Sequence, residues 1–165
     1  RDLSRFGEHA FDFVLFSYNG IDYVSHEDRL RVLQQIHRVL RPGGIFVFST
    51  HQLRSLRPHF DWRRALRAHP LRALRQAAFQ LRLRTANPGF RLDEALRRGW
   101  AVVNDGAHEF RALTYYVTPS EQARQLAGRF EVLDHFRLVD SGGRLSPGEA
   151  EATEDAWIYY LCRAR

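Results

Sequence analysis

Two short, nearly continuous apolar runs, Phe11–Phe16 (FDFVLF) and Ile45–Ser49 (IFVFS), flank an amphipathic stretch and leave few folds open. Runs of this kind read as strands buried on both faces, the pattern of a parallel sheet. Between them Ser25 offers an N-cap, with Asp28 in the capping-box position. Leu30, Leu33, Ile36 (with Val32) and Val39-Leu40 then recur at helical spacing, which puts Arg29, Arg31, Gln34, Gln35 and Arg38 on the opposite, solvent-facing side. Pro42-Gly43-Gly44 is expected to stop the helix, because proline lacks the donor and glycine accepts a left-handed backbone. Strand, helix, turn and strand in so short a span predict a βαβ unit with a right-handed crossover.

The segment 53–100 differs in kind, with twelve Arg against three acidic residues and no strand-like run. Pro70 suits a first helical turn, and Leu71, Leu74, Ala78 and Leu81 share one helix face up to the Asn87-Pro88-Gly89 turn. A helical insertion capping the sheet is the expectation. Beyond it, Phe110–Val117 reads as a strand, and Thr118 caps a helix over 119–128 with Pro119 in its first position. Strands are expected at 130–138 and 156–162, with SGGRLSPGEAEATED as a long hairpin-type loop between them. The predicted division is a βαβ part (1–52), an Arg-rich helical insertion (53–100) and the remainder of the same domain (101–165). The predicted class is α/β: a partial Rossmann-like sheet, mostly parallel, with an antiparallel terminal pair and a helical insertion.

Composition narrows the function classes. All 25 basic residues are Arg, none is Lys, and the net charge is +6. That bias fits a GC-rich coding sequence better than a dedicated phosphate-binding surface, and aromatic residues interleave closely with Arg only at Trp62-Arg63-Arg64, which counts against nucleic acid. The single cysteine, Cys162, excludes an internal disulfide and a cysteine zinc site, so a reducing cytoplasm is the expected compartment. No apolar run approaches the roughly 18 residues of a membrane helix. The chain has no Met, so Arg1 is expected to be an internal residue of a longer protein.

The order of these elements resembles the second half of the class I S-adenosylmethionine-dependent methyltransferase fold. FDFVLFSYNGIDYV resembles that family's fourth strand and the loop leaving it, and RLRVLQQIHRVLRPGGIFVFSTH its next helix, RVLxPGG turn and fifth strand. YYVTPSEQARQLAGRFEVLDHF and DAWIYYLCRAR resemble the final helix and the last two strands, and Asp2-Leu3-Ser4 the usual approach to the fourth strand. The resemblance implies S-adenosyl-L-methionine as cofactor and methyl transfer as the reaction. It also implies that the glycine-rich cofactor loop and the ribose-binding acid lie before Arg1. Gly43-Gly44 and Gly142-Gly143 cannot replace that loop, because neither follows a strand and opens a helix. Cofactor binding by these residues alone is therefore not expected.

Ligands of open α/β sheets sit beyond the carboxyl ends of the strands. By resemblance, Phe16, Ser17, Tyr18 and Tyr23 stand where the family lines its cofactor. Asn19-Gly20 suits a turn, and SYNG lacks the D/N-P-P-Y/F motif of base amino methyltransferases. His51, at the carboxyl end of the second strand, is the candidate for acid–base work, since imidazole titrates near neutrality. His26 and His37 are expected on the helix exterior, and no metal site is expected. Two function classes stay open: methyl transfer to a small-molecule acceptor, and a non-catalytic α/β module that binds an anionic partner.

Overall fold

The computed structural model describes residues 3–61, 70–106, 110, 112–137 and 143–165, with side chains from residue 73 onward in the helix that opens at Pro70. The first expected unit is present. Strand β1 (Phe11–Phe16) leads through a loop into helix α1 (His26–Val39), which returns into strand β2 (Leu40–Gln52). Ser25 caps α1 by accepting from the Asp28 N–H. β1 and β2 pair in parallel, from Phe13 opposite Ile45 to Phe16 opposite Phe48.

Two local expectations shift. The helix ends at Val39, before Pro42-Gly43-Gly44, and Leu40 is already extended. The proline–glycine turn instead forms an irregular start to β2, where Gly43 takes φ 79° and a Cβ on Gly44 would stand 2.8 Å from the Arg41 carbonyl oxygen. The buried stripe of α1 is also rotated. Arg29, Leu33, Ile36 and Val39 face inward and Leu30 is half-exposed, so Arg29 is not on the solvent side.

After β2 come a 3-10 turn (Leu53–Leu56), α2 (Arg57–Phe60), α3 (Pro70–Ala86) and α4 (Leu92–Arg98). The described residues of 53–98 are mostly helical, and the Trp62-Arg63-Arg64 cluster lies outside the described residues. Strand β3 (Trp100–Val103) follows at once and pairs antiparallel with β4 (Thr114–Val117). Of the strand expected over 110–117, Thr114–Val117 is a strand and Phe110 has φ 66°, while residue 111 lies outside the described residues. Helix α5 (Pro119–Leu126) is capped by Thr118, which accepts from the Glu121 N–H. Then come β5 (Phe130–Arg137), β6 (Arg144–Leu145), α6 (Pro147–Ala152) and β7 (Trp157–Ala164). The supposed hairpin loop therefore contains a short strand and a helix, the latter held by a full capping box between Ser146 and Glu149.

The seven strands form one sheet in the order β3-β4-β2-β7-β5-β6, with β1 also on β2. Among the described residues only the β1–β2 and β2–β4 pairs are parallel; β2–β7, β3–β4, β5–β6 and β5–β7 are antiparallel. The sheet is largely antiparallel, which corrects the mostly parallel expectation. β3 and β4 form an antiparallel ribbon after the helical segment, and β7, the C-terminal strand, runs against β2 rather than with it. The main core packs Leu33, Ile36, Phe46, Phe48, Phe130 and Tyr160; a smaller one joins Leu53, Leu56, Ala95, Ala101, Val103 and Tyr116 under the insertion.

Candidate functional site

One edge of β2 is shared by two strands. β1 occupies it as far as Phe48, and β4 takes it from His51, opposite Tyr116. Into the gap around Ser49 and Thr50 comes the loop that leaves β1. Tyr18 and Asn19 both hold a left-handed backbone at φ 53°, and a 3-10 turn follows at Gly20–Asp22. Such conformations are costly for residues with side chains and concentrate where the surroundings over-determine them. Here the Asn19 N–H donates to Ser49 Oγ at 2.8 Å.

Asp22 reaches the same gap and is fully buried. Its Oδ2 accepts the His51 backbone N–H at 2.8 Å and the His51 ring Nδ1–H at 2.7 Å. Its Oδ1 accepts from the Thr50 hydroxyl at 2.8 Å and from the Arg29 guanidinium. Arg29, also fully buried, donates further to the Ile21 carbonyl, Thr50 Oγ1, Gln122 Oε1 and Gln125 Oε1, and its guanidinium lies 4.5 Å from the Tyr115 ring. A buried pair tolerates desolvation only when its remaining donors and acceptors are bonded in this way.

The network fixes the His51 tautomer. Because Asp22 takes the Nδ1 proton, Nε2 of the neutral ring carries the lone pair, and Asn19 Nδ2 donates to it at 3.3 Å. Asn19 Oδ1, beside that contact, is buried with no partner among the described residues. His51 is walled by the rings of Tyr116, Trp157 and Tyr23 at 5.1, 5.9 and 6.4 Å.

Of the residues singled out in the sequence, Tyr23 and His51 are brought together. Tyr18 is 75% exposed, with its ring 6.3 Å from that of Trp157 on the far side of His51. Ser17 is half-buried, and Phe16 packs against the main core. Asp22, Asn19 and Arg29 went unnamed as site residues. The signal for Asp22 was its place in the loop already marked by Tyr18 and Tyr23; no local pattern betrays the burial of Arg29.

His37 hydrogen-bonds the Arg165 carbonyl at the surface, but His26 is not exterior. Its ring stacks on Trp100 at 4.0 Å and 7°, and its Nδ1 accepts from the Tyr115 hydroxyl at 2.7 Å. Burial lowers its pKa, outweighing Glu121, and burial pushes the Tyr115 phenol up. Tyr23, Ser25, His26, Trp100, Val102 and Leu113 line a cavity of about 610 Å³ beside this stack.

Residues 1–48 match the family model of the methyltransferase domain. Residues 1–48 are thus similar to a methyltransferase domain, and the fold of the chain is that of part of solved S-adenosylmethionine-dependent methyltransferases. The likeness to solved methyltransferases extends over nearly the whole chain. A methyltransferase from Mesorhizobium loti is 18% identical, with 96% of this chain and 63% of that one covered at a TM-score of 0.55. One from Methanosarcina mazei is 17% identical, with 98% and 62% covered at 0.53. The 1,6-didemethyltoxoflavin-N1-methyltransferase of Burkholderia thailandensis is 17% identical, with 96% and 45% covered at 0.51. These identities establish fold, and the chain spans about half to two thirds of each methyltransferase's length. No curated protein matches the sequence.

Proposed function

We propose that this chain forms the acceptor-side part of an enzyme that transfers a methyl group from S-adenosylmethionine to a small molecule, with His51 taking the acceptor's proton. The observation that carries the reading is the Asp22–His51 pair at the carboxyl end of β2, which leaves Nε2 as the basic nitrogen. The Burkholderia neighbour, solved with 1,6-didemethyltoxoflavin and S-adenosylhomocysteine, supports a small-molecule acceptor.

The residues present fit one wall of a cofactor site and no more. Phe16, Ser17 and Tyr18 would flank the cofactor, and the orphaned Asn19 Oδ1 could accept one of its N–H groups or one of the acceptor's. Among the described residues no glycine-rich turn joins a strand to a following helix, so the glycine-rich cofactor loop is not supplied by them. The cofactor brings the electrophilic methyl; the protein's part is to align the acceptor and receive its proton. For that, the Asn19 amide must yield Nε2 to the acceptor, while Asp22 keeps the ring oriented and stabilises the imidazolium that forms.

An anionic-partner module is favoured less. In the insertion Arg54 and Arg91 pair with Glu151 and Glu94, and Arg82 and Arg98 lie over the rings of Phe110 and Trp100.

The test is methyl transfer by the whole protein that carries this chain, wild type against His51→Ala and His51→Gln. Loss of the base is expected to lower kcat about 10²–10⁴-fold with little change in cofactor affinity. Unchanged turnover would return His51 to a structural role, and no transfer to any small acceptor would sink the function itself.

A further inference from the structure

The cavity beside His26 carries a further inference. Among the described residues its lining contains no Asp, Glu or Arg: Val24, Val102, Ala112 and Leu113 join three aromatic side chains. Its volume of about 610 Å³ falls in the range of pockets that enclose small organic ligands. The walls are held in place. Trp100 is sandwiched between the His26 ring at 4.0 Å and the Arg98 guanidinium at 4.3 Å, and His26 is pinned by Tyr115, itself bonded by Gln125. Tyr23 and Leu113, both exposed, form the rim.

Two donors in this lining are unspent. His26 gives Nδ1 to the Tyr115 hydroxyl, so its neutral ring carries a proton on Nε2; that N–H and the Trp100 indole N–H have no acceptor among the described residues. Ser25, by contrast, is spent on Asp28. An apolar pocket with ring edges and two free N–H groups selects a flat, neutral molecule with an oxygen or nitrogen acceptor on its edge. An anion would meet no cation among the described lining residues and would lose its hydration. Tyr23 links the cavity to the site, since its ring both lines the cavity and stands 6.4 Å from that of His51.

We propose that this cavity binds the methyl acceptor, and that the acceptor is a neutral aromatic small molecule bearing a hydrogen-bond acceptor; the word acceptor rests on the methyltransferase reading, the chemistry of the ligand does not.

The test titrates chromone and its charged analogue chromone-2-carboxylate into this chain, followed by NMR at the indole N–H of Trp100 (assigned with Trp100→Phe) and the amides of Ser25, Val102 and Leu113. Chromone should give saturable shifts at these positions, and the carboxylate should bind at least tenfold more weakly. Leu113→Glu, at a rim position 59% exposed, should weaken chromone at least tenfold without lowering the melting temperature. Absence of saturable shifts, equal or tighter binding of the carboxylate, or indifference to Leu113→Glu would each overturn the proposal. Chromone binding in a whole protein that methylates nothing would leave the cavity standing and remove the methyltransferase reading instead.

Discussion

Removing the Arg29 guanidinium by Arg29→Met keeps most of the side-chain volume and strips a fully buried carboxylate of its cation. Both side chains of the Asp22–Arg29 pair are at 0% exposure. Asp22 would retain the Thr50 hydroxyl and two His51 N–H groups but no positive charge, and the Ile21 carbonyl and both glutamine oxygens would lose a donor. Breaking one side of such a pair costs about 3–5 kcal/mol. That is a large share of the roughly 5–15 kcal/mol that holds a domain together. In a chain of this size each kcal/mol moves the melting temperature by about 2–4 °C, so a drop of roughly 6–20 °C is expected. Scanning calorimetry with urea titration reads both quantities. The double variant Asp22→Leu/Arg29→Met should lose less than the sum of the single variants, because it leaves no buried charge unpaired. A single-variant cost under about 1 kcal/mol, the size of an exposed ion pair, would refute the claim that this network is dry and coupled.

Gly99→Ala should cost about 2–4 kcal/mol in urea titration, since φ there is 90° and the new Cβ would stand 2.7 Å from that of Glu121. Cys162 is fully buried, and burial pushes its thiol up to about 12, so a thiol reagent near pH 8 should label it only on unfolding. His26 has its pKa lowered below the usual value of about 6.5, by burial first and by Arg29 and Arg98, against Glu121 and Glu27. Its contribution to stability is therefore complete above pH 6.5 and lost as pH falls through the lower folded value; His26→Phe should flatten that part of a stability–pH profile.

Local patterns carried much of this fold. The apolar runs at 11–16 and 45–49, the Ser25 and Thr118 caps and the helix over 119–126 are each specified within a dozen residues, so they could be read from the chain. The Ser146–Glu149 capping box was equally readable, but glycines and acidic residues around it gave the segment the look of a loop. What local reading misses is contact at a distance. Periodicity assigns Arg29 to water because its partners Gln122 and Gln125 lie more than ninety residues away and supply no nearby signal. The strand WAVV was hidden by its shortness, and its pairing with Tyr115 and Tyr116 depends on a turn that no residue type announces. His51 and Tyr23 were legible because the end of a strand is a position, readable from order alone; Asp22 became visible only when the loop closed onto the strand.

Among the described residues the β3–β4 ribbon meets the rest of the sheet through just two residue pairs, Tyr116 with His51 and Val117 with Gln52. The ribbon is thus joined to the sheet at the very residue proposed to take the acceptor's proton. Any change in how it seats is felt first at the imidazole, because Tyr116 is both ladder partner and wall. The seating of the ribbon and the position of the His51 ring therefore turn on one pivot, and neither moves without the other.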